Sequence, residues 1–326
     1  STGTLELVPR RWPNIAIVLF LSATLVSTLV NWPFDNGIKG FTDELRYCSL
    51  FLCLYNGGYS EKTLRNLAYL AIVGVIGGLI YGLVEFLLGM RPEMQFHSAG
   101  ILTQSSIYLG IAIILTTSLI MDSQKNSPVM TKYLSAAWFI QVIALMYMGS
   151  RGSLLAVTLL LMIIAVMKFR IKAVLSIISI LALLVAGGLV MLKAFPDNVV
   201  SNYLQFQYSP ERIKKSDAER MQIWHLPAAK LKTGEDLVWG IGPRNYKSLE
   251  DEDFVRQSET LSKIKNFHHA HNLFLTHLIE QGIVGLFTML LFFALVLTRL
   301  ISVWRITPDH DPDWWWDAGL GGFFVP

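Results

Sequence analysis

Apolar runs of roughly twenty residues alternate with short polar connections along most of this chain. Such a run is the length at which a helix crosses the hydrocarbon core of a bilayer. The pattern predicts spans near 14–34, 43–58, 67–88, 100–121, 131–149, 151–167, 173–193 and 283–304. The second is short and carries Arg46 near its start. A further apolar run begins at Trp314 and stops with the chain at Pro326, so a ninth span is expected to be cut short. The two-residue alternation of a membrane barrel is absent. The expected fold class is an all-α polytopic membrane protein. Its one long polar excursion, residues 194–270, separates a bundle at 1–193 from a re-entry helix and last spans at 271–326.

Composition agrees with this class. The chain has 326 residues, 53% hydrophobic and 16% charged; a soluble domain carries about 25% charged residues. The formal net charge of +3 is too small to indicate nucleic acid. The apolar run after Trp12 is too long, and lacks the small-residue cleavage site, for a signal peptide. Cys48 and Cys53 sit five positions apart in one apolar segment, too far along a helix for a disulfide, and read as inert buried thiols. Gly74, Gly78 and Gly82 form a ridge at four-residue spacing that favours close packing inside the bundle.

Loop charges set an orientation. With the N-terminus inside, one face of the membrane receives Arg10, Arg11, Lys62, Arg65, Lys125, Lys132, Lys168, Arg170, Lys172, Arg299 and Arg305. The other short connections hold Lys39, Arg46, Arg91 and Arg151. Positive charge gathers on the inner side, which puts residues 194–270 outside. The parity requires the weak second span to cross. Within the excursion, Ser216-Asp-Ala-Glu219 reads as a capping box opening a helix with an apolar stripe of Met221, Trp224, Ala228 and Leu231. Pro227 is expected to kink it.

The candidate chemistry gathers at the outer face. In 268–286 a histidine cluster leads into an apolar run, which Gly282 and Gly285 are expected to break. His271 or Asn272 falls at the helix start, where the dipole disfavours imidazolium and leaves a neutral imidazole able to accept a proton. A capping role is the bland alternative for His271. His268 and His269 are neighbours, whereas His277 points to another face. Arg151 opens a span in Gly149-Ser-Arg-Gly-Ser153, Arg220 lies in the excursion's helix, and Arg244 follows the Gly240-Ile-Gly242-Pro243 turn. Guanidinium binds phosphate with two bonds at once. Gly240 and Gly242 are expected at positive φ. Glu280 is expected to pair with an arginine of the loop or of a span end. Asp251-Glu-Asp253 has the spacing of a metal-holding pair, but it lies in an acidic run where that spacing arises by chance. No metal site is expected.

Three elements carry a resemblance: Ser150-Arg-Gly-Ser153 opening a span; Glu219-Arg-Met-Gln-Ile-Trp224 followed by Gly240-Ile-Gly242; and His271-Asn272 with Glu280, Gly282 and Gly285. In this order, over about residues 145–300, the chain resembles the O-antigen ligases and the related O-antigen polymerases and protein O-oligosaccharyltransferases. The resemblance implies a metal-independent, inverting glycosyltransferase of GT-C-like architecture in the bacterial inner membrane, its site facing the periplasm. It implies an undecaprenyl-pyrophosphate-linked glycan as donor and lipid A–core as acceptor, with no cofactor. The family's essential histidine falls on His271 and its two essential arginines on Arg151 and Arg220. Arg244, Gly240, Gly242, Asn272, His269 and Glu280 complete the expected substrate site from the residues themselves. The family has about a dozen spans, more than are counted here. A flippase for a lipid-linked sugar is the rival from another class. It would place its ionisable residues at the bilayer midplane in broken helices.

Overall fold

The structure is a computed structural model. It describes residues 11–31, 35–91, 102–169, 199–231, 236–246 and 272–306, with a few isolated positions between 186 and 249. Every element among them is helical. They are α1 (Arg11–Val30), α2 (Asp35–Asn56), α3 (Glu61–Leu87), α4 (Leu102–Asn126), α5 (Pro128–Tyr147), α6 (Arg151–Phe169), α7 (Val199–Gln207), α8 (Pro210–Leu231) and α9 (Leu273–Ile306). Five segments are long and apolar enough to cross a membrane: Arg11–Val30, Lys62–Leu87, Ser105–Ser123, Pro128–Tyr147 and Leu273–Arg299. Their outward faces are apolar. Leu70 and Val73 on α3 are each 67% exposed and Phe287 on α9 is 64% exposed. Water would not tolerate so continuous an apolar surface, whereas lipid does. The protein is an all-helical, multi-pass membrane protein.

α2 is not among the five. Asp35, Lys39, Asp43, Glu44 and Arg46 give its first half a polar character, and only its last turns are apolar. The alternation that set the orientation therefore does not rest on apolar helices alone. α6 forms as expected, with a described apolar part of Arg151–Ile163. The seventh expected span, 173–193, lies almost wholly outside the described residues. Cys48 and Cys53 are free, and Cys53 is exposed, not buried. At Gly74 a Cβ would meet nothing within 4 Å, so this part of the ridge does not pack inside the bundle; Gly82 is buried.

The chain packs into two units, Ser1–Gly58 with Ile213–Pro326, and Tyr59–Arg212. The second unit is built on α3–α6. Leu109, Ile113, Val142, Leu145, Met148 and Val157 form its buried core. Gln141 is fully buried in α5 and accepts a hydrogen bond from Thr116 of α4 at 3.0 Å. Such interhelical bonds hold helices together where lipid supplies no hydrophobic drive. At one end of this unit Arg65 of α3 pairs with Asp122 of α4 at 3.3 Å, with the Asp122 side chain 3% exposed. Removing one partner of a buried pair leaves a desolvated charge, at a cost of about 3 kcal/mol. Arg65→Ala is expected to lower the thermal unfolding midpoint by several degrees, with partial rescue by Arg65→Lys. An unchanged midpoint would show the pair to be dispensable.

In the first unit α1 packs along α9 and beside α2. α8 begins six residues before the predicted capping box. Ser209 caps it, its hydroxyl accepting from the Arg212 amide at 3.3 Å, and Pro210 and Glu211 occupy the first turn. Proline needs no amide partner there and an acidic side chain suits the dipole, so this start outcompetes Ser216, which lies inside the helix. Of the expected apolar stripe, Met221 and Trp224 are exposed while Ile223 is buried, and the side chains of Ala228 and Leu231 lie outside the described residues. The helix runs past Pro227 to Leu231.

Candidate active site

The core of the site is a break in α9 filled by another segment of chain. Gly282 takes φ 68 and ψ −169, which interrupts the helical ladder. In a continuous helix Ile283 and Val284 would donate to the carbonyls of Ile279 and Glu280. Here the loop 237–242 enters between them. Ile241 N–H donates to Ile279 O and Gly242 N–H to Glu280 O, both at 2.9 Å. On the other side Ile283 N–H donates to Leu237 O at 2.9 Å and Val284 N–H to Val238 O at 3.4 Å. All four groups opened by the break find partners in the loop. This meets the requirement that buried backbone polar groups be paired within the protein.

The glycines follow from this geometry. Gly240 and Gly242 have φ 71 and 93, as their turn was expected to require. A Cβ on Gly282 would lie 2.1 Å from Val238 O, and one on Gly240 would lie 2.4 Å from the carbonyl carbon of Glu280. The loop backbone and the broken helix touch directly, so no side chain fits between them. Gly285 does not break the helix, contrary to expectation. A Cβ there would lie 2.2 Å from that of Gln281, so it makes room for the Gln281 side chain.

α1 completes the joint. Ser27 Oγ donates to Trp239 O at 2.6 Å and lies 2.9 Å from Glu280 O. Asn31 Nδ2 donates to Gly240 O at 3.0 Å. Thr24 Oγ1 lies 3.3 Å from Gln281 Oε1. Sequence reasoning missed these residues. The only signal was a run of small polar side chains, Thr24, Ser27, Thr28 and Asn31, at helical spacing in an otherwise aliphatic span.

Glu280 is buried at the break, and its carboxylate accepts from the backbone amides of Arg244 and Tyr246, the latter at 3.3 Å. The expected pair with an arginine side chain does not form: Glu280 meets Arg244 only through that residue's backbone amide. The Arg244 guanidinium pairs with Asp43 of α2 at 3.2 Å. Tyr246 is fully buried, and its hydroxyl donates to Ile223 O at 3.2 Å. Burial, and then the nearby Glu280, raise that hydroxyl above its ordinary pKa, so it keeps its proton. The bond ties the loop to α8 one turn from Arg220, which is exposed.

Asn272 caps α9. Its Oδ1 accepts from the amides of Phe274 and Leu275 at 3.0 and 3.2 Å. Of the two candidates for the helix start, Asn272 therefore takes the cap and His271 immediately precedes it. His268, His269, His271, Asp251 and Asp253 lie outside the described residues. His277 is buried within α9, edge-on to Phe20 of α1 at 5.5 Å, away from the helix start as expected.

Arg151 belongs to the other unit, where the start of α6 is built with equal care. Gly149 at φ 66 ends the α5 turn against Gln207 of α7, and Tyr208 Oη donates to Met146 O at 2.6 Å. Ser150 and Ser153 hydroxyls lie 3.1 Å apart, and Ser153 lies 3.0 Å from Ser106 of α4. The serines of the motif thus fasten the first turn, and Arg151 opens the helix with an exposed side chain.

No curated protein matches the chain. A family model described as O-antigen ligase matches residues 135–290. That stretch holds Arg151, Arg220, Gly240, Gly242, Arg244, His271, Asn272 and Glu280, and its function is broadly O-antigen ligase- or polymerase-type glycosyl transfer. Over residues 135–290, a little under half of its length, the chain matches the O-antigen ligase family.

Proposed function

We propose that the protein transfers O-antigen polysaccharide from undecaprenyl pyrophosphate to a sugar hydroxyl of lipid A–core, at the periplasmic face of the bacterial inner membrane. The acceptor oxygen attacks the anomeric carbon from the face opposite the diphosphate. The bond to the diphosphate oxygen breaks and its electron pair leaves with that group. The configuration inverts. An alcohol needs a base, and His271 takes its proton. The leaving group departs as an anion, so it needs stabilised charge and no proton. Arg151 and Arg220 supply that charge, with Arg244 as a further contact. The kit calls for no metal, and Asp251 and Asp253 have no part in it.

The observation that carries this reading is the loop threaded into α9. It joins Gly240, Gly242, Arg244 and Glu280 into one rigid piece with the helix that Asn272 caps, and it ties that piece to the helix of Arg220. His271 is the residue before the cap. A positioned base needs such a scaffold, because an error of an ångström costs a large part of the rate. The same feature speaks against a flippase. A transporter uses the free backbone groups of a broken helix to bind cargo, whereas the four groups at this break are already taken by the loop.

Deletion of the gene, with lipopolysaccharide resolved on a gel, tests the assignment. Loss of the ladder with accumulation of lipid-linked glycan is the expected result. A single repeat on core would make the enzyme a polymerase. An intact ladder with an unglycosylated pilin would make it a protein oligosaccharyltransferase.

A further inference from the structure

Asp43 of α2 lies between two guanidinium groups. Arg46, three residues on, pairs with it, and Arg244 reaches it from the loop at 3.2 Å. Arg46 also lies over the Tyr47 ring, 5.4 Å from its centroid. None of the three is buried: the side chains of Arg46, Arg244 and Asp43 are 68%, 57% and 32% exposed. Lys39, one turn before Asp43, is exposed as well. Asp43 thus carries two guanidiniums, with Lys39 one turn before it on the helix and a second carboxylate, Glu44, next to it.

Two observations make it more than a solvated patch. Arg244 is the one described residue other than glycine with positive φ, at 60°. Glycine or asparagine takes such a position with less strain. A larger side chain persists there when the surroundings force it, and such outliers gather at functional sites. The visible partner does not account for it, since an ion pair this exposed contributes little. The two supporting backbones are also locked together. A Cβ at Gly40 would lie 2.6 Å from Pro243 Cβ, so α2 and the loop are in direct contact beside the cluster. The loop is in turn held by α9 and α1. Arg46 and Arg244 are thus preorganised on rigid elements.

We propose that Arg46 and Arg244 form a phosphate-binding site in which Asp43 is the resident counter-ion, displaced when a phosphate or diphosphate group binds. A tetrahedral phosphoanion accepts from both guanidiniums with better geometry than one carboxylate, and the exchange costs little because the resident pair is exposed. Two membrane sources share this chemistry, a lipid-linked diphosphate and an anionic headgroup. The first rests on the glycosyl-transfer reading above; the site itself does not.

The test is binding of inorganic pyrophosphate to the full chain in phosphatidylcholine nanodiscs, without any transfer reaction. Arg46→Gln and Arg244→Gln are each expected to weaken it about tenfold or more, the loss of one charge-assisted contact. Asp43→Asn, which removes the competitor and keeps the shape, is expected to tighten it several-fold. Arg46 lies on an exposed helix surface, so its variant folds whatever happens to the loop. Equal affinity in wild type and all three variants overturns the proposal. So does weaker binding in Asp43→Asn, which would make the carboxylate an organiser of the loop. Adding phosphatidylglycerol then identifies the occupant: competition with pyrophosphate points to a headgroup, and no competition to the diphosphate. Failure of this site leaves the role of His271 standing, since that role is read from transfer and not from binding.

Discussion

His271→Ala is expected to abolish glycan transfer while the protein still folds, inserts and binds donor. A positioned general base contributes about 10²–10⁴-fold, and an alcohol acceptor has no substitute base at neutral pH. The capping role that would have given this histidine a structural task belongs to Asn272. Its loss should therefore spare the start of α9. His269→Ala should be much milder. The arginines are expected to behave in the opposite way. Arg151→Lys and Arg220→Lys keep the charge and lose the two-pronged geometry, so both should lose transfer together with part of their affinity for an undecaprenyl pyrophosphate analogue. Transfer by His271→Ala within tenfold of wild type would exclude it as the base. Equal donor affinity in both lysine variants would move the clamp elsewhere.

Gly282→Ala is expected to inactivate the enzyme without touching a reacting group. Two costs act together. The conformation at φ 68 and ψ −169 is one that essentially only glycine holds, at about 1–3 kcal/mol for other residues. The new Cβ would also lie 2.1 Å from Val238 O, a backbone atom that cannot move aside alone. The favoured escape is a continuous α9, because Ile283 and Val284 can then donate to Ile279 and Glu280. That closes the gap and expels the loop 237–242. The signature would be faster hydrogen exchange at Ile241 and Gly242, with loss of transfer. Gly74→Ala is the control, since nothing lies within 4 Å and alanine is the better helix former. Retained activity and retained protection in Gly282→Ala would show that the break is incidental.

Much of the fold was legible in the one-dimensional pattern. Long apolar runs must become helices in lipid, because no other open structure satisfies the backbone there. Gly240 and Gly242 announced their turn, and the start of α9 was placed at His271 or Asn272, because both signals are local; the structure gives the cap to Asn272. Local signals also misled where two of them competed. Ser216 offers a complete capping box, yet Ser209 with Pro210 and Glu211 starts the helix a turn or two earlier. Gly282 and Gly285 looked alike as breakers, and they differ because one faces the Val238 carbonyl and the other the Gln281 side chain.

From residue types and order alone come the membrane class, the helices and the membership of the candidate set. Each depends on one residue's own chemistry or on neighbours three or four positions away. The joining of Gly240, Gly242, Arg244 and Glu280 depends on contacts between distant parts of the chain. Ser27 and Asn31 reach a loop more than two hundred residues later, and Asp43 meets Arg244 across a similar distance. Nothing in periodicity encodes such pairings, because the partners are backbone carbonyls and exposed charges that any segment could offer. Packing selects them: once Gly282 opens α9, four backbone groups must be paired, and the loop 237–242 is the segment that pairs them.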